Sequence, residues 1–168
     1  MDQFLTNLNS RDGEIVIGIT GKYTQIRDAY ASVIHALQHA ATVCHKKLKI
    51  KWIETTDIET HKINVEEALS DVDGILVAPG FGKRGTEGKI MCLKHARENN
   101  IPYLGVCYGM QMAVIEFARN VCGLKDANST EIDPTTKEPV IDILPEQKEI
   151  EGLGGNMRLG GKEVEVKK

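Results

Sequence analysis

Apolar positions along the chain follow two rhythms. Ile15, Val16, Ile17 and Ile19 within Glu14 to Thr20, then Leu48 to Ile53, Ile75 to Ala78 and the run from Ile101 to Cys107 form short blocks. Blocks of this length, β-branched or continuously apolar, are those of strands covered on both faces. Between them the period lengthens to that of a helix. Tyr30, Val33, Ile34, Leu37, Ala40 and Ala41 mark an amphipathic helix from about Asp28 to Cys44. Met110, Ala113, Val114, Phe117, Ala118 and Val121 predict another after Cys107, with this set as its core-facing side. A short helix over Asn64 to Leu69 has Asn64 placed as its cap and Glu66 and Glu67 in the first turn, where the helix dipole favours acids. A fourth, from about Glu87 to Glu98, stops at Asn99-Asn100.

Strands that alternate with helices at these spacings predict an α/β fold: three layers, with a mostly parallel sheet between helices on both faces. Ligands of such sheets sit at the carboxyl ends of the strands, which puts Gly21 to Tyr23, Pro79 to Gly82 and Cys107 to Gly109 on one rim. After Gly123 the chain turns polar through Asp126 to Pro134. Val140 to Leu144 then reads as a strand, and Met157 to Leu159 with Val164 to Val166 as a hairpin. Residues 1–13 carry no clear period and read as a tail or linker remnant, which leaves one domain over 14–168.

A length of 168 residues suits that single domain. A net charge of −3 gives no general attraction to nucleic acid or anionic lipid. No apolar run approaches the roughly 20 residues of a membrane span, and the first residues lack the flanks of a signal peptide, so a cytoplasmic protein is expected. Cys44, Cys92, Cys107 and Cys122 are far apart, which points to neither a zinc site nor a disulfide framework. Cys44, Cys92 and Cys122 read as small apolar helix residues.

Cys107 stands apart. Gly105, Cys107 and Gly109 give G-x-C-x-G, the cysteine form of a nucleophile elbow, in which a sharp strand-to-helix turn holds the reactive side chain above the sheet. The helix N-terminus that follows favours thiolate and can receive an anion. Thiol hydrolases, amidases and redox sensors all use this pattern. Pro79-Gly80-Phe81-Gly82 belongs beside the elbow, where the N–H groups of a glycine turn can form an oxyanion hole; the same residues also make an ordinary strand-ending turn. Other candidates read more plainly. Gly18 to Tyr23 departs from a phosphate loop at Val16 and Tyr23, His35 and His39 find no third metal ligand at suitable spacing, and the alternating lysines from His45 to Trp52 fit a half-exposed strand.

Several segments, in order, resemble one family. Gly21-Lys22-Tyr23 with Asp28 to Val33, Gly80 to Ile90, Gly105 to Gln111, Asn128 to Glu131 and Met157 to Gly160 are similar to the class I, triad-type glutamine amidotransferase domain of CTP synthases. The resemblance implies a fold with a flavodoxin-like core in which Cys107 attacks the side-chain amide of glutamine, releasing ammonia and leaving a glutamyl thioester for hydrolysis. It implies Gly80 and the N–H of Tyr108 as oxyanion donors, and Gln111 and Glu131 as holders of glutamine, with Glu131 suited to its α-ammonium. It further implies a synthetase domain as partner, which aminates UTP to CTP. ATP and Mg belong to that domain, so no cofactor or metal is expected here, and a homo-oligomer is expected for the full-length enzyme.

The sequence departs from the family at particular positions. Tyr108 stands for the usual leucine, Pro79 for glycine, Ala78 for proline and Ile132 for an aromatic residue. The family's catalytic His and Glu lie beyond the position of Gly160, and no histidine follows Cys107. The domain is therefore expected to be C-terminally incomplete. Two further readings stand beside the glutaminase: a glutamine-binding or regulatory module that lacks its base, and another thiol enzyme on the same fold.

Overall fold

The computed structural model describes residue 7, residues 12–22 and residues 27–143. Four parallel strands, β1 (Glu14–Gly21), β2 (Lys47–Glu54), β3 (Gly74–Val77) and β4 (Tyr103–Gly105), lie side by side in the order β2-β1-β3-β4. Helices α1 (Ala31–Val43), α2 (Thr55–Glu59), α3 (Val65–Leu69), α4 (Thr86–Glu98) and α5 (Tyr108–Asn120) connect and cover them. A parallel neighbour can be reached only by a crossover, so each strand ends on the same rim as the last. One face carries a core of Ile58, Leu69, Ile75, Val77, Leu93, Met112 and Ile115, contributed by the sheet and by α2 to α5. On the other, Ile19, Tyr30, Leu76 and Ala78 pack with Val33, Ile34 and Leu37 of α1, and the Tyr30 and Trp52 rings meet at 5.4 Å. This is the three-layer arrangement expected.

The strands and longer helices fall within three residues of their expected places, and Asn64 caps α3 by accepting from the Glu66 N–H at 2.8 Å. Four details differ. The five-residue α2 was not expected; the Glu54 carboxylate accepts from the Thr56 N–H at 3.4 Å to start it. The polar stretch after Gly123 contains β5 (Ala127–Ser129), which pairs in parallel with β6 (Glu138–Ile141). Of the three cysteines assigned to helices, Cys92 lies buried in α4, whereas Cys44 and Cys122 follow helix ends and are exposed. The expected hairpin at 157–166 and all but Asp12 and Gly13 of the last stretch of the tail, 8–13, lie outside the described residues.

The fourth difference is the roll of α5. Its buried side is Tyr108, Gly109, Met112, Ile115, Glu116 and Ala118, while Met110, Phe117 and Val121 are about half exposed, at 52%, 48% and 49%. The helix is apolar on two sides, and a backbone contact selects between them. A Cβ on Gly109 would lie 2.0 Å from the Val77 carbonyl oxygen, so the helix meets β3 at Gly109 and turns the positions three and six residues on, Met112 and Ile115, inward. Glu116 then reaches the interior, where it accepts from Arg97 of α4 at 2.8 to 3.1 Å. An ionised carboxylate so buried requires such a partner.

The sheet margins differ in character. β2 presents Lys47, Lys49 and Lys51, the last two paired with Glu14 and Asp71, whereas β4 ends the other side with Leu104 61% exposed.

Gly109→Ala is expected to lower the unfolding free energy by about 3 kcal/mol or more, since a backbone carbonyl cannot yield to the new methyl. Gly123→Ala, with φ near +77° but open space around it, is expected to cost about 1 kcal/mol. Urea denaturation of both variants checks the contrast.

Candidate active site

The rim at the carboxyl ends of β1, β3 and β4 brings together the segments that carry the candidate chemistry. After β4 the chain turns at Cys107 with φ 54° and ψ −110°, a region that non-glycine residues seldom occupy. Strain of this kind persists only where the surroundings enforce it. Here they do. A Cβ on Gly105 would sit 2.6 Å from the Met110 nitrogen, and that on Gly109 collides with Val77 as above. The Cys107 carbonyl accepts from Met110 and Gln111 at 3.0 and 3.2 Å, and Gly109 donates to Val106 at 2.9 Å. The thiol of Cys107 is exposed at the start of α5.

Facing it is the turn after β3, Ala78 to Gly82, and its carbonyls are held by side chains from three elements. Lys89 of α4 donates to the Ala78 oxygen at 2.7 Å, Lys22 beyond β1 donates to that of Phe81, and the Tyr108 hydroxyl donates to that of Gly82 at 2.8 Å. Thr86 shares the Tyr108 hydroxyl at 3.1 Å and reaches the Gly82 oxygen at 3.2 Å. The Gly82 N–H in turn donates to the Glu131 carboxylate at 3.0 Å. With the carbonyls of Ala78, Phe81 and Gly82 engaged, the Gly80 N–H is left without a backbone partner among the described residues, as is that of Tyr108.

The structure thus brings Gly80, Cys107, Tyr108 and Glu131 onto one rim, with Gln111, half-buried, one helical turn beyond Cys107. Tyr108 does more than offer its backbone. Its ring is buried at 3% exposure and its hydroxyl clamps the turn, a role open to no leucine. Glu59 fastens the neighbouring end of α4, accepting from the N–H groups of Gly85 at 2.7 Å and Glu87 at 3.2 Å. Tyr23 lies outside the described residues.

Lys89 carried no assigned role in the sequence. Yet it falls on the stripe of Cys92, Leu93 and Ala96 at helical spacing, so a cation among core positions was the available signal. It is 3% exposed, and burial, reinforced by the nearby Lys22 charge, pushes its ammonium down to about 8, while Cys107 opposes the shift. Its Nζ also stands 5.2 Å from the centre of the Tyr108 ring. Burial pushes the Cys92 thiol up to about 12, which makes that cysteine inert. Among the described residues no group of three or more His, Cys, Asp or Glu is placed to hold a metal, and no helix is long and apolar enough to cross a membrane. Two surface cavities, ≈ 620 and ≈ 340 Å³, are lined by none of the rim residues named above.

Tyr108→Phe is expected to cost about 1–2 kcal/mol by leaving the Gly82 carbonyl short of a donor. The phenol is held above its ordinary range, first by burial. A raised value in the folded state means that its contribution is intact below about pH 10 and is lost as pH rises through the folded value. Urea denaturation between neutral pH and pH 11 is therefore expected to show the gap between the two proteins closing on the alkaline side.

The model of the family described as glutamine amidotransferase class-I matches residues 25–168. The CTP synthase of Sulfurisphaera tokodaii is 54% identical over 165 residues, which cover 98% of this chain and 31% of that protein. The CTP synthase of Staphylococcus carnosus is 56% identical over 160 residues, 95% of this chain and 29% of its own length. The chain therefore spans less than a third of these relatives. A solved structure, the Trypanosoma brucei CTPS glutaminase domain with bound acivicin, is 38% identical with a TM-score of 0.72 over 79% of this chain and 51% of that one. Fold, elbow and family match agree: the chain belongs to the class-I glutamine amidotransferases.

Proposed function

We propose that this chain is the glutaminase part of a CTP synthase, with residues 14–168 as its amidotransferase domain and Cys107 as its nucleophile. The observation that carries the reading is the strained, exposed Cys107 set against the Gly80 turn, in a chain 38% identical to a glutaminase domain described with bound acivicin. The Cys107 thiolate attacks the side-chain amide carbon of glutamine. The carbonyl π electrons move onto oxygen, and the N–H groups of Gly80 and Tyr108 donate to that oxyanion. Collapse of the intermediate breaks the C–N bond, and the leaving nitrogen takes a proton and departs as ammonia. Water then adds to the glutamyl thioester, releasing glutamate and restoring the thiol.

Gln111 and Glu131 hold the substrate in this scheme. Glu131 is fixed by the Gly82 N–H through one oxygen, leaving carboxylate capacity for the α-ammonium of glutamine. Ammonia passes to a synthetase domain of the kind implied by the much longer relatives, where ATP-activated UTP is aminated. The general acid and base, commonly worth about 10²–10⁴-fold, are assigned by family resemblance to a His and Glu pair. A second reading is a module that binds glutamine without turning it over.

The test is incubation with acivicin followed by peptide mass spectrometry. Labelling of Cys107 at about tenfold or more over Cys44 and Cys122 is expected, with Cys92 untouched and Cys107→Ala unlabelled. Uniform labelling of the exposed cysteines would rule out the nucleophile assignment. Ammonia release from glutamine that disappears in Cys107→Ala separates the enzyme from the binding module, for which glutamine raises the melting temperature and no ammonia appears.

A further inference from the structure

Lys89 belongs to no part of the scheme above, yet it is the buried cation of the site. Its side chain rises from α4 to the underside of the Ala78–Gly82 turn, donates to the Ala78 oxygen at 2.7 Å, and lies where a Cβ on Gly80 would come within 3.5 Å of its Nζ. Burying an ammonium is costly, and one neutral carbonyl offsets little of that cost. A methionine or leucine would fill the same stem volume without the charge. The groups that face it are few. Lys22 from the end of β1 repels it, Cys107 from the elbow attracts it, and the Tyr108 ring presents its face. The carboxylates of Glu131 and Glu59 act on the Tyr108 phenol beside it, and Glu59 is itself engaged by the start of α4.

We infer that Lys89 is a positioning residue for Cys107: its ammonium fixes the Gly80 turn through the Ala78 carbonyl and supplies the positive charge that favours the Cys107 thiolate. The inference deepens the glutaminase reading and rests on it for the role of the turn. The interaction is mutual, so the thiolate holds the proton on Lys89 as Lys89 holds the thiolate ionised. The site therefore carries its activating cation under the Gly80 turn, against the ring of the residue next to Cys107. Because burial pushes the Lys89 ammonium down to about 8, this assistance fades as pH rises beyond that value.

Alkylation of the full chain and of its Lys89→Met variant with iodoacetamide, followed at the Cys107 peptide from pH 6 to 10, tests it. At neutral pH the variant is expected to react about tenfold more slowly. The two profiles should merge near pH 10, where Lys89 has lost its proton. A variant that is slower by the same factor at every pH, or equally fast throughout, overturns the inference. Should Lys89→Met fail to fold, the parent chain serves alone. The ¹⁵Nζ resonance of Lys89 is titrated before and after Cys107 is alkylated, and its midpoint is expected to fall once the thiolate is removed. An unmoved midpoint overturns the inference equally. Iodoacetamide lacks the α-amino acid group that Glu131 would hold, so a failure of acivicin labelling with this pH behaviour intact would sink the glutaminase reading and spare the electrostatic one.

Discussion

The whole site depends on the pressure of α5 against β3 at Gly109, where helix backbone and strand carbonyl leave no room for even a methyl group. That contact decides three things. It brings the N-terminus of α5 to the rim, it forces the chain from β4 through a turn so tight that Cys107 adopts positive φ, and it sets which side of the helix faces inward. The strain at Cys107 is sustained by packing around it, since neither Gly105 nor Gly109 could carry a side chain in place. A cysteine held this way needs no rearrangement to present its sulfur.

Opposite Cys107, order is achieved through hydrogen bonds. The turn after β3 has no secondary structure to satisfy its carbonyls, and Lys89, Lys22 and Tyr108 take that task from α4, the end of β1 and α5. Each comes from a different element, so the turn reports the relative placement of all three. The tyrosine at 108 is instructive. It stands where the family usually has leucine, and its ring is buried while its hydroxyl braces the turn. Preorganised donors are effective because they do not have to reorient as charge develops.

Much of this was legible in the sequence. The parallel sheet followed from strand and helix rhythms, the elbow from G-x-C-x-G, and the Asn64 cap from its position before a short apolar run. What was not legible has definite physical causes. Thr55–Glu59 is too short to show a period. Ala127–Ser129 is a strand of polar and small residues held by its pairing with β6. The roll of α5 is hidden from the sequence because both of its sides are apolar, and the deciding contact is made by backbone that has no side-chain signature. Lys89 was overlooked because a lysine inside a helix ordinarily reaches solvent, and only tertiary packing shows that this one does not.

The two margins of the sheet are unlike. On β2, Lys47, Lys49 and Lys51 discourage a further strand from joining, since an added chain would have to displace or desolvate their charges. On β4, Tyr103 and Leu104 present apolar groups, and no ion pair is found there among the described residues. The sheet thus has a polarity across its width, unrelated to the polarity of its strands. One flank is thus charged and the other apolar, and the apolar one is formed by the strand that leads to Cys107.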